Sequence, residues 1–223
     1  MTLTQRPFKQ QLYLTEIFAS VQGETTFAGL PTTFIRLSGC NLRCSWCDTS
    51  YSFKRGDLWT IDAIIDKVDS HGLSHVCITG GEPLLQTAVH HLMERLCEKK
   101  FILNLETGGS LTIEEVDPRV MIVLDVKCPG SLMAKKNYWD NFLFLKHSDE
   151  VKFVIKDRLD YNFAVKICED FQIFSRVRTV LFQPVFDVLP AKELASWIIA
   201  DRLPVRFSLQ VHKYIWDPLT KGV

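Results

Sequence analysis

Apolar, β-branched runs recur along the chain at 32–37, 75–79, 101–106, 120–126, 151–155, 179–183 and 205–210. Runs this continuous predict strands of a parallel sheet covered on both faces. Between several of them the hydrophobic period changes to that of a helix. Over 60–71, Ile61, Ile64, Ile65 and Val68 share one face, with Thr60 placed to cap the N-terminus. Over 85–99, Val89, Leu92, Met93 and Leu96 do the same, and the stretches 161–171 and 191–201 complete the set. Strand–helix alternation predicts an α/β fold with right-handed crossovers. The units are too few for a full eight-stranded barrel, which takes about 250 residues. A partial, open (β/α) barrel of about six parallel strands suits 223 residues better. The segment 127–147 mixes Pro, Gly, Lys, Asn and aromatics and reads as a loop or short helical insertion. No repeat, low-complexity stretch or linker interrupts the chain, so 1–223 is read as a single domain.

Composition adds limits rather than a function. Lys plus Arg and Asp plus Glu both count 26, a balance that gives no support for a nucleic-acid or acidic-membrane partner. The opening MTLTQRPFKQQLYL lacks the apolar core of a secretory signal. No apolar run approaches the ~18 residues of a transmembrane helix. The expectation is a cytoplasmic protein whose seven cysteines are reduced thiols or metal ligands rather than disulfides. Cys77, Cys97 and Cys168 lie in strand or helix patterns and read as small buried hydrophobes. Cys128 stays open, because it follows Lys127 in a candidate site.

Cys40, Cys44 and Cys47 form Cys-x3-Cys-x2-Cys within GCNLRCSWCDT. Three thiolates on one loop can hold three irons of a 4Fe–4S cluster. A structural zinc site or an electron-transfer cluster normally takes four protein ligands. Three ligands leave one iron open. The loop follows the 32–37 strand, so it sits at a strand's carboxyl end, where ligand sites of parallel sheets and barrels gather. The next strand ends in Gly80-Gly81-Glu82-Pro83, in which the glycines permit close approach of a ligand and Glu82 is free to receive an ammonium. Further strand ends carry Glu106, Asp125–Lys127 and Gln183–Pro184. Each could cap a turn; their joint recurrence points to one pocket.

The triad and GGEP resemble the signatures of the radical S-adenosyl-L-methionine (SAM) enzymes. EIFASVQGET, RLSGCNLRCSWCDT, TGGEP and QVHKYIW together resemble the 7-carboxy-7-deazaguanine synthase (QueE) family over essentially the whole chain. Glycyl-radical-activating enzymes share the triad and GGEP but not the two ends. The resemblance implies an abbreviated radical SAM core. It also implies conversion of 6-carboxy-5,6,7,8-tetrahydropterin to 7-carboxy-7-deazaguanine with loss of ammonia, a radical ring contraction that regenerates SAM. The implied cofactors are a 4Fe–4S cluster, SAM and Mg2+. The implied partners are the pterin substrate, an electron donor such as flavodoxin or ferredoxin, and a second copy in a homodimer.

Site roles follow from the same resemblance. Val21, Gln22, Gly23 and Glu24 match a substrate-binding segment. Arg36 matches a substrate-carboxylate ligand, a task its planar fork suits. Thr79, Glu106, Gln210 and His212 match further substrate contacts. Glu106 is typed for either the pterin or a ribose, and His212 for either substrate or structure. Ser45, Trp46, Cys47, Gly81, Glu82, Asp125, Val126, Lys127, Gln183, Pro184, Val185 and Phe186 match SAM contacts. Thr49 matches a magnesium ligand. Two departures stand out. Asp125-Val126-Lys127 replaces a common Ser-Pro-Lys, and Leu219–Val223 continue past Pro218, the position aligned with a terminal substrate contact. Two other readings compete: a glycyl-radical-activating enzyme, and a zinc-binding interaction module using His71 or His75 as a fourth ligand.

Overall fold

The structure is a computed structural model that describes residues 10–223; the first nine residues of the stretch tested above for a signal lie outside it. Nine strands form one sheet, in the order β3-β1-β2-β4-β5-β6-β7-β8-β9. They are β1 (Gln11–Val21), β2 (Pro31–Leu37), β3 (Asp57–Thr60), β4 (His75–Gly80), β5 (Ile102–Thr107), β6 (Met121–Val126), β7 (Glu150–Ile155), β8 (Thr179–Pro184) and β9 (Arg206–Phe207). From β2 to β9 every neighbouring pair is parallel, and from β4 onward the neighbours are consecutive along the chain. The helices are α1 (Ile61–His71), α2 (Ala88–Glu98), α3 (Asn141–Phe144), α4 (Arg158–Asp170), α5 (Ile173–Arg176), α6 (Ala191–Ala200) and α7 (His212–Ile215). The sheet stays open, with β3 and β9 at its edges.

The expected open α/β architecture is therefore present, with three corrections. The antiparallel strands β1 and β3 were not anticipated; both pair at the start of the sheet. The run at 205–210 keeps only two strand residues, as the last, singly paired edge. The sheet is not apolar on both faces. Ile35, Leu37, Ile78, Leu105, Leu124, Val126, Val151, Phe153 and Phe182 join the buried cluster under the helices. The residues alternating with them are Arg36, Thr79, Glu106, Asp125, Lys152 and Gln183, which line a cavity on the other face. Period-2 geometry sends neighbours to opposite faces, so each strand carries core and site at once.

All four expected helices are present, but α2 starts at Ala88 rather than 85 and α4 at Arg158 rather than 161. Thr60 Oγ1 accepts from Ala63 N at 3.2 Å, and Gly72 at φ +65° ends α1. Ile64, Val68, Val89, Leu92 and Leu96 are fully buried. Each such side chain contributes roughly 1.5–3 kcal/mol relative to exposure. That clamped apolar face is what lets the opposite face hold charge. The segment 127–147 is an insertion of two 3-10 turns and the one-turn α3.

Candidate active site

The cluster loop and the GGEP turn are built against each other. Gly81 N donates to Leu37 O at 3.1 Å, and Glu82 N to Gly39 O at 2.8 Å. Gly39 N donates to Ser52 O at 2.7 Å. A Cβ on Gly81 would stand 2.7 Å from Cys40 Cβ and closer still to Gly39 O. The glycine therefore admits the cluster loop's own backbone as well as facing the cavity. Glu82 differs from expectation. It is wholly buried, and its carboxylate accepts from Thr107 Oγ1 (2.8 Å), Gly108 N (2.8 Å) and Leu84 N (3.1 Å). Its oxygens are spent on tying the ends of β4 and β5 together, and it is not among the cavity residues. Burial pushes its carboxyl up, against these donors.

Cys40, Cys44 and Cys47 line one wall of a cavity of about 430 Å³. All three are half-buried free thiols. Burial pushes the Cys40 and Cys44 thiols up, and the Lys127 ammonium works against it. Among the described residues no three His, Cys, Asp or Glu side chains converge as one ion requires. A single zinc needs such convergence. Three thiolates that each take a different iron do not. The donor set thus fits a cluster better than the zinc module. Cys128 is resolved as a buried core residue, outside the cavity. Cys77 is buried as expected, its sulfur accepting from Asn104 Nδ2 at 3.3 Å.

The opposite walls are polar. Arg36 Nε donates to Glu16 Oε1 at 2.7 Å, and Tyr51 OH donates to the same oxygen at 2.8 Å. No protein hydrogen bond uses the terminal nitrogens of Arg36 among the described residues, so that edge of the guanidinium is available to a ligand. Thr79 lies directly opposite Arg36 on β4. Gln22 Nε2 donates to Glu106 Oε1 at 3.2 Å. Burial pushes the Glu106 carboxyl up, against the Lys152 ammonium.

A chain of charges crosses the floor. Lys127 Nζ lies 3.1 Å from Asp125 Oδ2. Lys152 Nζ lies 3.6 Å from that same oxygen and 2.6 Å from Glu24 Oε2. Glu24 Oε1 accepts from Gln210 Nε2 (2.8 Å) and Gln183 Nε2 (3.4 Å). Gln210 also donates to Asp48 Oδ2 at 3.1 Å, as does Lys213 at 2.8 Å. Burial alone would raise the Glu24 carboxyl, but Lys152 foremost, with His212 and the Gln210 hydrogen bond, lowers it to about 2. Two buried acceptors have no protein partner: Asp125 Oδ1 and Gln183 Oε1. Such orphans are costly unless a ligand or water supplies a donor.

The loop after β1 and the segment after β9 meet across the mouth of the open sheet. Val211 N donates to Gly23 O at 2.9 Å. A Cβ at Gly23 would collide with the His212 ring, so the glycine makes room for the histidine. Burial pushes His212 toward its neutral form, against the Glu24 carboxylate.

Most of the expected site residues come together in this cavity: Val21 to Glu24, Arg36, the triad, Trp46, Thr49, Thr79, Gly81, Glu106, Asp125, Lys127, Gln183, Val185, Phe186, Gln210 and His212. Ser45, Val126, Pro184 and Pro218 do not line it, like Glu82. Ser45 is turned to Gly130 O, 2.9 Å from its hydroxyl. Val126 belongs to the helix-covered face. Pro184 lines a smaller neighbouring cavity under the β8–α6 loop. Pro218 is exposed, and Val223 reaches the cavity instead. Sequence reading missed Lys152, Asp48, Lys213, Phe18 and Phe34 on the walls. Lys152 had a signal: a charge inside an apolar run, in the same alternating phase as Glu150.

Comparison with known proteins agrees with this geometry. Residues 34–121 match the Radical SAM superfamily model. The 7-carboxy-7-deazaguanine synthase of Chlorobaculum tepidum is 41% identical, covering 95% of this chain and 97% of that protein. The synthase of Koribacter versatilis is 40% identical over 95% of this chain and 100% of that one. The crystal structure of QueE from Escherichia coli superposes with a TM-score of 0.72 at 23% identity, covering 91% of this chain and 95% of that one, a likeness of fold. With identity of this level along nearly the full length of both chains, this chain belongs to the 7-carboxy-7-deazaguanine synthase family of radical SAM enzymes.

Proposed function

We propose that the chain converts 6-carboxy-5,6,7,8-tetrahydropterin to 7-carboxy-7-deazaguanine with loss of ammonia, as a step of 7-deazapurine biosynthesis. The observation that carries the reading is one cavity with the thiol triad on one wall and an arginine with a free terminal edge on another. Cys40, Cys44 and Cys47 would hold three irons of a 4Fe–4S cluster and leave the fourth to SAM. When bound, cluster and SAM supply one-electron chemistry and the radical that takes hydrogen from the pterin C6. This chain's residues bind, orient and shield. The orphaned oxygens of Asp125 and Gln183 suit the hydroxyl or ammonium donors of SAM. Lys127, beside them, offers a point charge to its carboxylate.

On the substrate side, the terminal nitrogens of Arg36 suit the pterin carboxylate as a bidentate pair. Glu16 and Tyr51 fix the guanidinium from behind. Gln22 and Glu106 form an amide–carboxyl edge matched to ring N–H and carbonyl groups. Phe18 and Phe34, stacked with ring centroids 5.0 Å apart, give the cavity an aromatic wall. Thr49 is the proposed Mg2+ ligand. Its hydroxyl lies 3.7 Å from Cys47 Sγ, beside the cluster position. Magnesium commonly keeps waters and substrate oxygens as ligands, so with few protein groups, Thr49 among them, it would act here as an electrophile and template. We read the chain as one cytoplasmic domain that pairs as a homodimer and takes electrons from a small carrier such as flavodoxin or ferredoxin.

The test is anaerobic reconstitution and incubation with the carboxytetrahydropterin, SAM, Mg2+ and a reductant. The expected result is 7-carboxy-7-deazaguanine and ammonia without matching net loss of SAM. SAM cleavage with the pterin left intact would reject this substrate.

A further inference from the structure

Lys152 has none of the roles assigned above, yet it stands between them. It projects from the middle of β7 onto the polar face, with 8% of its side chain exposed. Lysine is seldom buried this far unless it is paired. Its two partners come from different parts of the site. Glu24 belongs to the loop after β1, on the substrate side. Asp125 lies on β6, directly opposite Lys152, on the cofactor side.

Each partner passes the constraint on. Glu24 Oε1 holds the amides of Gln210, from the far end of the chain, and Gln183, from β8. The other ionisable groups that face Glu24 are His212 of α7, Asp48 of the cluster loop and Glu106 of β5. Two of these repel it, and burial favours the neutral form of the third. Among the described residues Lys152 is the cation in direct contact with Glu24, 2.6 Å from Oε2. Asp125 Oδ2 is shared between Lys152 and Lys127, which leaves Oδ1 free and fixes where it points.

We propose that Lys152 is a positioning residue for this reaction: one ammonium, held between Glu24 and Asp125, sets the substrate-side loop against the cofactor-side strand. This rests on the assignment of the two sides under the proposed function. It accounts for a buried cation on the cavity wall to which no ligand role is assigned above. The loop after β1 reaches β7 a second time, where the Thr26 hydroxyl and amide both donate to Glu150. That second anchor keeps the loop attached when Lys152 is changed, so the variants below address alignment rather than attachment.

The experiment is anaerobic calorimetric titration of the carboxytetrahydropterin into cluster-loaded, SAM-bound enzyme, wild type against Lys152→Met and Lys152→Arg. Met keeps length without charge. Arg keeps charge with a bulkier head. The expected result is a dissociation constant raised about tenfold in Lys152→Met, equivalent to ~1.4 kcal/mol. Lys152→Arg should stay within about threefold of wild type, with iron content unchanged throughout. A role in packing alone reverses the order of the two variants. Wild-type affinity in Lys152→Met, or Arg no better than Met, overturns the proposal. Should Lys152→Met fail to fold, the neutral pair Lys152→Met with Glu24→Gln removes both charges, a replacement buried pairs tolerate. The same weakening is expected there, and wild-type affinity in the pair overturns the proposal. A wild-type enzyme that does not bind the pterin fails before any variant is made, and rejects the functional reading itself.

Discussion

Gly81→Ala tests whether the GGEP turn is first of all a seat for the cluster loop. Gly81 is not among the glycines with positive φ, so alanine meets no backbone penalty and the effect is steric. The new Cβ would lie 2.7 Å from Cys40 Cβ, about 0.7 Å short of ordinary contact, and closer to Gly39 O. Neither neighbour is a flexible side-chain end, so the loop itself must move. Movement of that size takes the 2.8 Å bond from Glu82 N to Gly39 O beyond hydrogen-bond range. Overpacking costs about 1–3 kcal/mol, and a buried group left unpaired about as much again. A sum near 2–6 kcal/mol is a large part of the ~5–15 kcal/mol of a typical domain and stays below the middle of that range. The expected outcome is a folded protein with a lowered melting temperature. Cys40, one residue from the displaced carbonyl, moves with the loop. Iron and sulfide per chain after anaerobic reconstitution should therefore fall well below wild type. Full iron content with full turnover would show that the turn does not seat the loop.

Four further outcomes are expected. Alanine at Cys40, Cys44 or Cys47 should abolish the cluster and SAM cleavage, whereas alanine at Cys77, Cys97 or Cys168 should spare both; iron analysis decides, and the reverse pattern removes the ligand assignment. Arg36→Lys keeps charge but loses the two-pronged edge, so substrate affinity should fall by roughly 1.5–3 kcal/mol in titration while SAM binding persists. Unchanged substrate affinity in Arg36→Ala rejects the carboxylate role. Thr49→Val should weaken the magnesium dependence of turnover and leave iron content intact; an unaltered magnesium titration leaves Thr49 no metal role. Glu24 titrates near 2 in the folded chain against an ordinary 4.5. Its pairing therefore contributes fully above about 4.5 and is lost as pH falls toward 2. Glu24→Gln should flatten that acid limb in urea unfolding, and an identical limb contradicts the pairing.

Much of this was legible in the chain because single residues sat at informative places. The triad directly follows a strand, and strand ends in a parallel sheet share one face. Thr60 opens a clean helical period. Other features were hidden for physical reasons. In QLYLTEIFASV, Leu12 and Leu14 are buried but most later residues are half-exposed, so β1 has no sustained alternation to read. Lys152 was absorbed into an apolar run because a strand can bury one charge on its site face while its neighbours Val151 and Phe153 build the core. Glu82 has the right chemistry for an ammonium, yet buried donors already occupy it. That competition depends on β5 lying beside β4, which a motif does not encode. Pro218 followed an alignment position, whereas the chain beyond it runs back so that Val223 lines the cavity.

Under the proposed function, this cavity presents the pterin C6 to SAM held at the triad. The most direct test is turnover of 6-carboxytetrahydropterin carrying deuterium at C6, with mass analysis of the SAM recovered. Deuterium is expected in that SAM, since under the proposed reaction the hydrogen taken from C6 passes through the cofactor. Conversion of the labelled pterin with no deuterium in the recovered SAM or in 5′-deoxyadenosine would contradict it.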